Sequence, residues 1–206
     1  GTTFTDSSFA PHTITVSGDT NTSSTQKKFG PTSAYFDNTG DFLTVPASSD
    51  WNVYGSDYTV DFWFYATSFA DWDGLVACNS ADPYGWNIQL DAAGRLLYMA
   101  GNGGSWEFNT YNTGQTALSL NTWYHVAMTK SGTTWNIYVD GTLYQGPYTA
   151  TAQDTDAVAL SIGRAPVWGA RDFNGYIDEL RMSKGIVRWS TNFTPPATSY
   201  TRRRLL

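Results

Sequence analysis

The fold class is decided by the stretch Asn174-Gly-Tyr-Ile-Asp-Glu-Leu-Arg-Met-Ser-Lys-Gly185. Ile177 and Leu180 are typical strand residues, and the run predicts a strand that closes a sheet. Asp178 stands between apolar neighbours, where a charge without a partner is costly in free energy. We therefore expect Asp178 to have a partner, which is a metal ion, an arginine such as Arg181, or a pair of backbone amides.

Strands are predicted along the whole chain, without a long stretch of helical periodicity. Residues 58–65 alternate large apolar with semi-polar side chains, which is the period-2 pattern of a central strand. Residues 121–129 and 134–144 are the clearest strands, and Asp140-Gly141 is a two-residue hairpin signal. Residues 29–46 predict another hairpin around an Asn-Thr-Gly turn. Because parallel strands need helical crossovers, the pattern favours an all-β antiparallel sandwich.

The amino-acid composition limits the classes of molecule that the protein is expected to bind. The 206 residues carry a formal net charge of −6, with 15% charged and 16% aromatic residues. This balance argues against nucleic acid, which is bound by basic patches, and no apolar run is long enough to predict membrane insertion. We expect one domain over residues 1–197 and a tail over residues 198–206. Because the sequence starts without methionine, we expect it to be part of a larger polypeptide.

Five short motifs follow one another along the chain. The chain contains Phe29-Gly-Pro-Thr-Ser-Ala-Tyr-Phe36, Leu43-Thr-Val-Pro46, Trp123-Tyr-His-Val-Ala127, Ile137-Tyr-Val-Asp-Gly141 and, after the closing stretch, Phe193-Thr-Pro-Pro196. Together they resemble laminin-G-like domains of the concanavalin A-like lectin/glucanase group. The resemblance implies an all-β jelly roll, a two-sheet antiparallel β-sandwich.

The resemblance also implies a structural calcium ion. Relatives with glucanase activity hold this ion with the aspartate of a similar closing strand, which matches Asp178. The relatives add carbonyl oxygens from the N-terminal segment and from the loop after the first hairpin strand, and the matching positions here are Asp6 and Gly40. Carboxylate and carbonyl oxygens are the ligands that Ca²⁺ prefers.

Catalysis is disfavoured by the distribution of acidic residues. Glucanases of this fold use a glutamate pair on one strand, but the only glutamates are Glu107 and Glu179, far apart in sequence. The remaining acidic pairs, Asp71 with Asp73 and Asp154 with Asp156, lie in predicted turns, where solvated aspartates are common. The sequence therefore predicts a protein that is not an enzyme, with a glycoside hydrolase as the least favoured alternative.

Four predicted loops place aromatic rings beside polar side chains, which is the combination that sugar recognition requires. If these loops meet at one rim of the sandwich, they form a shared shallow site. The predicted contacts are Trp72, Asp73, Asn79, Asp82, Tyr84, Trp86, Asn102, Trp106, Trp168 and Arg171. The alternative for each ring is that it plugs the end of the sandwich.

We therefore expect a recognition or attachment module that binds a glycan or another cell-surface component. Arg171 favours an acidic polysaccharide, because a guanidinium can hold a carboxylate with two hydrogen bonds. The expected location is extracellular, on a cell surface or on a virion surface. A purely structural or protein-binding module is the main alternative, because a fold does not determine a ligand.

Overall fold

The computed structural model describes residues 1–79, 84–102, 105–110, 114–150, 158–166, 169 and 171–200, with the backbone alone at Tyr84, Asn102 and Phe108. A short 3-10 helix covers Ser49–Trp51. Within the described ranges, no helix has the length and apolar character needed to cross a membrane. The strands are β1 Thr15–Ser17, β2 Asn21–Ser23, β3 Ser33–Asp37, β4 Phe42–Val45, β5 Tyr58–Ala66, β6 Asp73–Cys78, β7 Tyr84–Leu90, β8 Leu96–Asn102, β9 Trp106–Asn109, β10 Trp123–Ser131, β11 Thr134–Val139, β12 Thr142–Thr149, β13 Leu160–Ile162, β14 Arg164–Ala165, β15 Arg171–Asp172 and β16 Asn174–Lys184.

Two antiparallel sheets of seven strands each form a sandwich. The front sheet has the order β1-β4-β13-β6-β7-β8-β9, and the back sheet has the order β12-β11-β10-β5-β16-β3-β2. The ribbon β14-β15 continues from β13 beside β6. The predicted all-β, two-sheet jelly roll is confirmed.

The core lies between the sheets because strand alternation directs every second side chain inward. Phe62 and Phe64 of β5 are buried in the core, as the pattern of residues 58–65 predicts. Trp86 and Ile88 of β7 enter the same core from the front sheet. Full burial of one large apolar side chain stabilises the fold by about 1.5–3 kcal/mol, and the core contains many such side chains.

The hairpin predicted over residues 29–46 is wrong. β3 pairs with β2 and β16 in the back sheet, whereas β4 pairs with β1 and β13 in the front sheet. The turn at Gly40, with φ of 81°, therefore carries the chain from one sheet to the other. The Asp140-Gly141 turn, in contrast, joins the paired strands β11 and β12 as predicted.

The strand β16 lies in the interior of the back sheet, between β3 and β5. A bulge separates Asp178, opposite Trp63, from Arg181, opposite Asp61, and Glu179 in the bulge has φ of 53°. A bulge inserts an extra residue without moving the flanking residues to different faces. Asp178 and Arg181 therefore both project from the outer face of the sheet.

A buried charge network crosses this outer face. The fully buried carboxylate of Asp61 accepts hydrogen bonds from Arg181 at 3.0 and 2.7 Å and from the hydroxyl of Tyr200. Nε2 of His125 lies 3.4 Å from the same carboxylate. Burial alone would raise the pKa of Asp61, but the hydrogen bonds and the positive charge of Arg181 hold this pKa below its ordinary value. Asp61 thus stays ionised and links β5, β10, β16 and the C-terminal segment.

Tyr200 places the domain boundary later than predicted. Its backbone N–H donates to Oε2 of Glu179 at 2.5 Å, and its ring lies 3.8 Å from the guanidinium carbon of Arg181. Residues 198–200, which were predicted to form a tail, therefore belong to the domain. Residues 201–206 lie outside the described part of the chain.

We expect Asp61→Ala to lower the free energy of unfolding by about 3–5 kcal/mol, because it leaves the guanidinium of Arg181 without its buried counter-ion. Chemical denaturation at pH 7 measures this loss. The control is Asp50→Ala, since the carboxylate of Asp50 also contacts a basic side chain, 3.2 Å from Nε2 of His12, but is 54% exposed. We expect the control to lose less than about 1 kcal/mol. Equal losses in the two variants would contradict the role given to Asp61.

Candidate functional site

The outer face of the front sheet, termed the front face, carries a continuous row of side chains. Ser161 of β13 lies opposite Thr44 of β4 and Ala77 of β6, Ala77 lies opposite Asn87 of β7, and Asn87 lies opposite Met99 of β8. All of these except Thr44 are buried, although their chain neighbours fill the core on the other side of the sheet. The row is therefore a second buried layer, outside the apolar core.

Polar groups of the front face lack hydrogen-bond partners within the described part of the chain. Asn87 is fully buried, and neither of its amide atoms is paired. The hydroxyl of Ser161 and both amide atoms of Asn79, one residue past β6, are also unpaired. Gln89 donates to the carbonyl of Trp72 at 3.1 Å but leaves Oε1 unpaired. An unmet buried polar group costs about 1–3 kcal/mol, so the concentration of such groups on one face is unusual for a folded protein.

The end of the front sheet at which β6 begins, termed the Asp73 end, is acidic and contains a strained residue. Asp73 accepts a hydrogen bond from the N–H of Ala70 at 2.8 Å. Trp72 has φ of 72°, a conformation that costs a bulky residue about 1–3 kcal/mol and is concentrated at functional sites. Nη1 of Arg171 donates to the carbonyl of Asp71 at 3.0 Å, and its guanidinium carbon lies 5.9 Å from the Trp72 ring centre. The predicted contacts Trp72, Asp73 and Arg171 are thus brought together.

Burial raises the pKa of Asp73 to about 7, and the charges of Asp172 and Asp71 act in the same direction against the charge of Arg171. A carboxyl group with this pKa is partly protonated at neutral pH. In its protonated form it donates one hydrogen bond as well as accepting others. The carboxyl group of Asp73 can therefore both donate and accept a hydrogen bond.

The predicted single rim is wrong, because its residues lie at opposite ends of the front sheet. Trp72 and Asp73 stand at the start of β6, and Asn79 follows its last residue. A strand of six residues spans about 20 Å, so loops at its two ends cannot share one shallow rim. Half-buried Trp106 of β9 lies at the same end of the front sheet as Asn79.

The prediction that the ring of Trp86 stacks on a sugar is wrong. It is 1% exposed, and its indole N–H donates to the carbonyl of Trp51 at 3.1 Å. The residue lies within β7 and points into the core, whereas the sequence prediction assigned its ring to the rim site. Of the other predicted contacts and acidic pairs, the following lie outside the described residues: Asp82, Trp168, Asp154 and Asp156, together with the side chains of Tyr84 and Asn102.

The sequence prediction missed the polar strand residues Asn87, Gln89 and Ser161. Their signal is present in Trp86-Asn87-Ile88-Gln89-Leu90, where uncharged polar residues alternate with core residues. Such alternation is ordinary for a strand with one solvated face. Only the burial of the second face distinguishes these amides from solvated ones, and burial cannot be inferred from the alternation alone.

The three predicted calcium ligands do not converge. Asp6 accepts hydrogen bonds from His12, which lies beside Asp50 near the C-terminal end of β16. Gly40 follows β3 at the opposite end, where β3 pairs with the start of β16. The eleven residues of β16 span about 35 Å, so these positions cannot ligate one ion.

Of the three expected kinds of partner for Asp178, the structure shows backbone amides. Its Oδ2 accepts the backbone N–H groups of Lys28 and Phe29 at 2.9 and 3.0 Å. Arg181, the alternative partner, pairs with Asp61 instead. Asp178 therefore anchors the loop that precedes β3 to the outer face of the back sheet.

Another acidic group lies beside Gly40. Asp19, Asp37 and Asp41 bring carboxylate oxygens within 4.8 Å of one another. The buried carboxylate of Asp41 accepts the backbone N–H of Asp19 at 2.8 Å and that of Asp37 at 3.1 Å. Burial raises the pKa of Asp41, against the lowering effect of these hydrogen bonds. The hydrogen bonds explain the position of Asp41 without an ion.

Solved structures with the same fold share little sequence with this chain. Domain 4 of AbnA, a GH43 extracellular arabinanase from Geobacillus stearothermophilus, in complex with arabinotriose, is 19% identical, with a TM-score of 0.63 over 85% of this chain and 82% of that domain. The binding domain of botulinum neurotoxin DC in complex with SialylT is 15% identical, with a TM-score of 0.63 over 87% of this chain and 44% of that one. The same binding domain in complex with rat synaptotagmin II is 13% identical, with a TM-score of 0.65 over 87% and 45%. The chain thus spans less than half of the neurotoxin binding domains.

Sequence comparison identifies the family directly. No curated protein sequence matches the chain. Residues 37–189 match the laminin-G-like family described as the Concanavalin A-like lectin/glucanases superfamily. This match covers more than half of the chain and contains every strand from β4 to β16. The chain therefore belongs to the laminin-G-like family of the concanavalin A-like lectin/glucanases superfamily.

Proposed function

We propose that the chain is a non-catalytic recognition module that binds a neutral glycan on the front face. The observation that carries the proposal is the set of buried, unpaired polar groups centred on Asn87. A sugar hydroxyl both donates and accepts a hydrogen bond. The amides of Asn87 and Asn79 and the hydroxyl of Ser161 likewise offer donors and acceptors, so they match a ligand rich in hydroxyl groups.

Apolar side chains beside these amides complete the match. Ala77 and Met99 flank Asn87 in the row, and Leu97 lies opposite Gln89. A pyranose or furanose ring has apolar C–H surfaces between its hydroxyls. Binding sites for such ligands are largely apolar, with a few placed polar groups that fix orientation. The front face has this composition.

Charge favours a neutral glycan over the acidic polysaccharide expected from Arg171. The Asp73 end also contains Asp71 and Asp172, and Arg171 already donates to the carbonyl of Asp71. Like charges placed opposite one another weaken binding. The unpaired groups of the front face itself are amides and a hydroxyl, which carry no charge.

The similar structures support a glycan as the ligand class. The arabinanase domain is bound to arabinotriose, and one of the neurotoxin domains is bound to SialylT. The arabinanase is described as extracellular, which agrees with an extracellular, cell-surface or virion-surface location for the parent of this chain. The neurotoxin domain bound to rat synaptotagmin II supports a protein partner as the alternative.

Catalysis is not part of the proposal. Asp73, whose raised pKa suits a general acid, would need a second carboxylate placed for glycoside hydrolysis. Of its acidic neighbours, Asp71 is exposed and accepts the backbone N–H of Ala92 at 3.3 Å, and Asp172 is paired with Arg164. The structural relatives compared with the chain are binding domains of toxins and a domain of an arabinanase.

We expect Asn87→Leu to weaken glycan binding by at least about tenfold while leaving the melting temperature unchanged or higher. An apolar side chain of similar shape removes the desolvation cost of an unpaired amide, so stability does not fall. Titration calorimetry with arabinotriose, xylotriose, cellotriose, chitotriose and sialyllactose measures binding, and thermal unfolding measures stability.

The matched control is Thr59→Val. Thr59 is fully buried in the back sheet and has two partners, the carbonyl of Ile186 at 2.8 Å and the N–H of Arg188 at 3.0 Å. We expect this variant to lose about 1–3 kcal/mol of stability and to bind glycan as the parent does. Destabilisation by Asn87→Leu without a change in glycan affinity would contradict the proposed function.

Calcium binding stays a prediction for the protein, although Asp6, Gly40 and Asp178 do not form one site. If the folded chain binds Ca²⁺, excess ion stabilises it by about 2.7 kcal/mol at a hundredfold excess over the dissociation constant. Melting in EDTA and in added calcium measures this effect. We expect Asp178→Asn to lower the melting temperature equally in both conditions, because Asp178 holds the backbone of Lys28 and Phe29. Identical melting of the parent in both conditions would refute calcium binding.

A further inference from the structure

The outer face of the back sheet, termed the back face, carries an aromatic row. Tyr35, Tyr176, Tyr65 and Trp123 stand on adjacent strands and face one another in register. Their successive ring centres lie 4.9, 5.8 and 5.6 Å apart. Three of the four rings are half-buried and so remain partly open to solvent, while Tyr176 is 8% exposed. The row is therefore a partly open aromatic strip outside the core.

The strip leads into a groove of about 460 Å³ beside Trp123. Its lining combines the rings of Trp63, Trp123 and Phe29 with the charged side chains of Lys28 and Asp140 and with Pro195, Pro196 and Ala197. The ammonium of Lys28 lies 3.8 Å from the Trp63 ring centre, and the ring of Phe29 meets that of Trp63 at 87°. Small-ligand sites are typically concave and lined in this way, with aromatic surface and few polar groups.

Two of the segments that line the groove are anchored. The carboxylate of Asp178 holds the backbone of Lys28 and Phe29. In the C-terminal segment, the N–H of Phe193 donates to the carbonyl of Gly141 at 2.8 Å, two residues before the prolines. The ring of Phe193 also stacks on Trp189, with 4.0 Å between ring centres. The shape of the groove is therefore fixed by the fold before any ligand arrives.

Trp63 supplies an independent indication of a ligand. Its side chain is 5% exposed, and its indole Nε1 has no hydrogen-bond partner among the described residues. A buried tryptophan N–H ordinarily finds an acceptor. An oxygen-bearing ligand in the groove provides one.

We propose that the groove and the aromatic row form a second glycan-binding site, on the opposite face of the sandwich from the first. The ligand class rests on the proposed function, but the site does not share a residue with the front face. Tryptophan and tyrosine rings stack on the apolar side of sugars, while Asp140, Lys28 and the N–H of Trp63 provide polar contacts. The opposite charges of Lys28 and Asp140 favour a neutral sugar.

A peptide strand fits this face less well. The row lies on β3, β16, β5 and β10, which are all interior strands of the back sheet. Both edges of each strand are hydrogen-bonded, so a peptide cannot add a strand there. A proline-rich peptide held by rings alone is the remaining peptide mode, and the experiment includes it.

The test is the number of oligosaccharide sites per chain, measured by titration calorimetry with the neutral trisaccharides named above. We expect two sites in the parent, one in Trp123→Ala, one in Asn87→Leu and none in the double variant. Phe29→Ala is the second groove variant and should weaken the same site by about tenfold. The control is Phe9→Ala, an exposed ring in the N-terminal segment, which should keep both sites. Circular dichroism melting verifies that each variant is folded.

The outcomes separate this proposal from the proposed function. A single site that disappears in Asn87→Leu and persists in Trp123→Ala and Phe29→Ala overturns the second site and leaves the proposed function intact. A single site that disappears only in the groove variants supports the second site and refutes the front-face function. Saturation of the groove by decaproline, with no oligosaccharide competing for it, overturns the glycan proposal, and so does the absence of all oligosaccharide binding.

Discussion

The structure depends on the alternation of side chains across strands whose inner residues fill a single apolar core. In β7, Trp86, Ile88 and Leu90 are buried between the sheets, and their packing fixes the position of the residues between them. Asn87 and Gln89 are therefore held on the front face without contributing to the core. A polar group supported by a rigid strand is better placed for recognition than one on a loop, because little conformational entropy is lost when a ligand binds.

The two outer faces of the sandwich differ chemically. The front face combines buried amides with apolar neighbours, whereas the back face combines an aromatic row with the charge network of Asp61. Each face has a buried polar group without a partner among the described residues, the amide of Asn87 in front and the indole N–H of Trp63 behind. Such groups lower the stability of the free protein, and under both proposals a ligand that pairs with them recovers that free energy on binding.

The C-terminal segment contributes to the back face in a way that the family resemblance did not indicate. It continues from β16 across the outer face, where Tyr200 bonds Asp61 and Phe193 anchors the start of the Pro-Pro pair. Asp178 contributes from within β16, because it fixes the loop that bears Phe29. The family's closing strand thus organises a surface as well as a sheet.

The sequence predicted the architecture well because its signals are local. The alternation of residues 58–65 and the Asp140-Gly141 turn each depend on neighbouring residues, and both occur as predicted. The site was predicted poorly because its residues meet only in three dimensions. The partners of Asp178 are 149 and 150 residues away, and the opposite ends of β6 separate Trp72 from Asn79. No local pattern shows that Trp86 points inward while Asn87 lacks a partner among the described residues.

The central claim is that the unpaired amides of the front face receive a glycan. The most direct measurement is a ¹H–¹⁵N spectrum of the side-chain NH₂ groups during titration with the neutral oligosaccharides. The account predicts that the Asn87 and Asn79 signals shift with the same saturation curve, while the NH₂ signal of Gln145, which donates to the carbonyl of Leu96 at 3.0 Å, stays in place. Saturable binding that leaves the Asn87 signal unmoved would contradict the account.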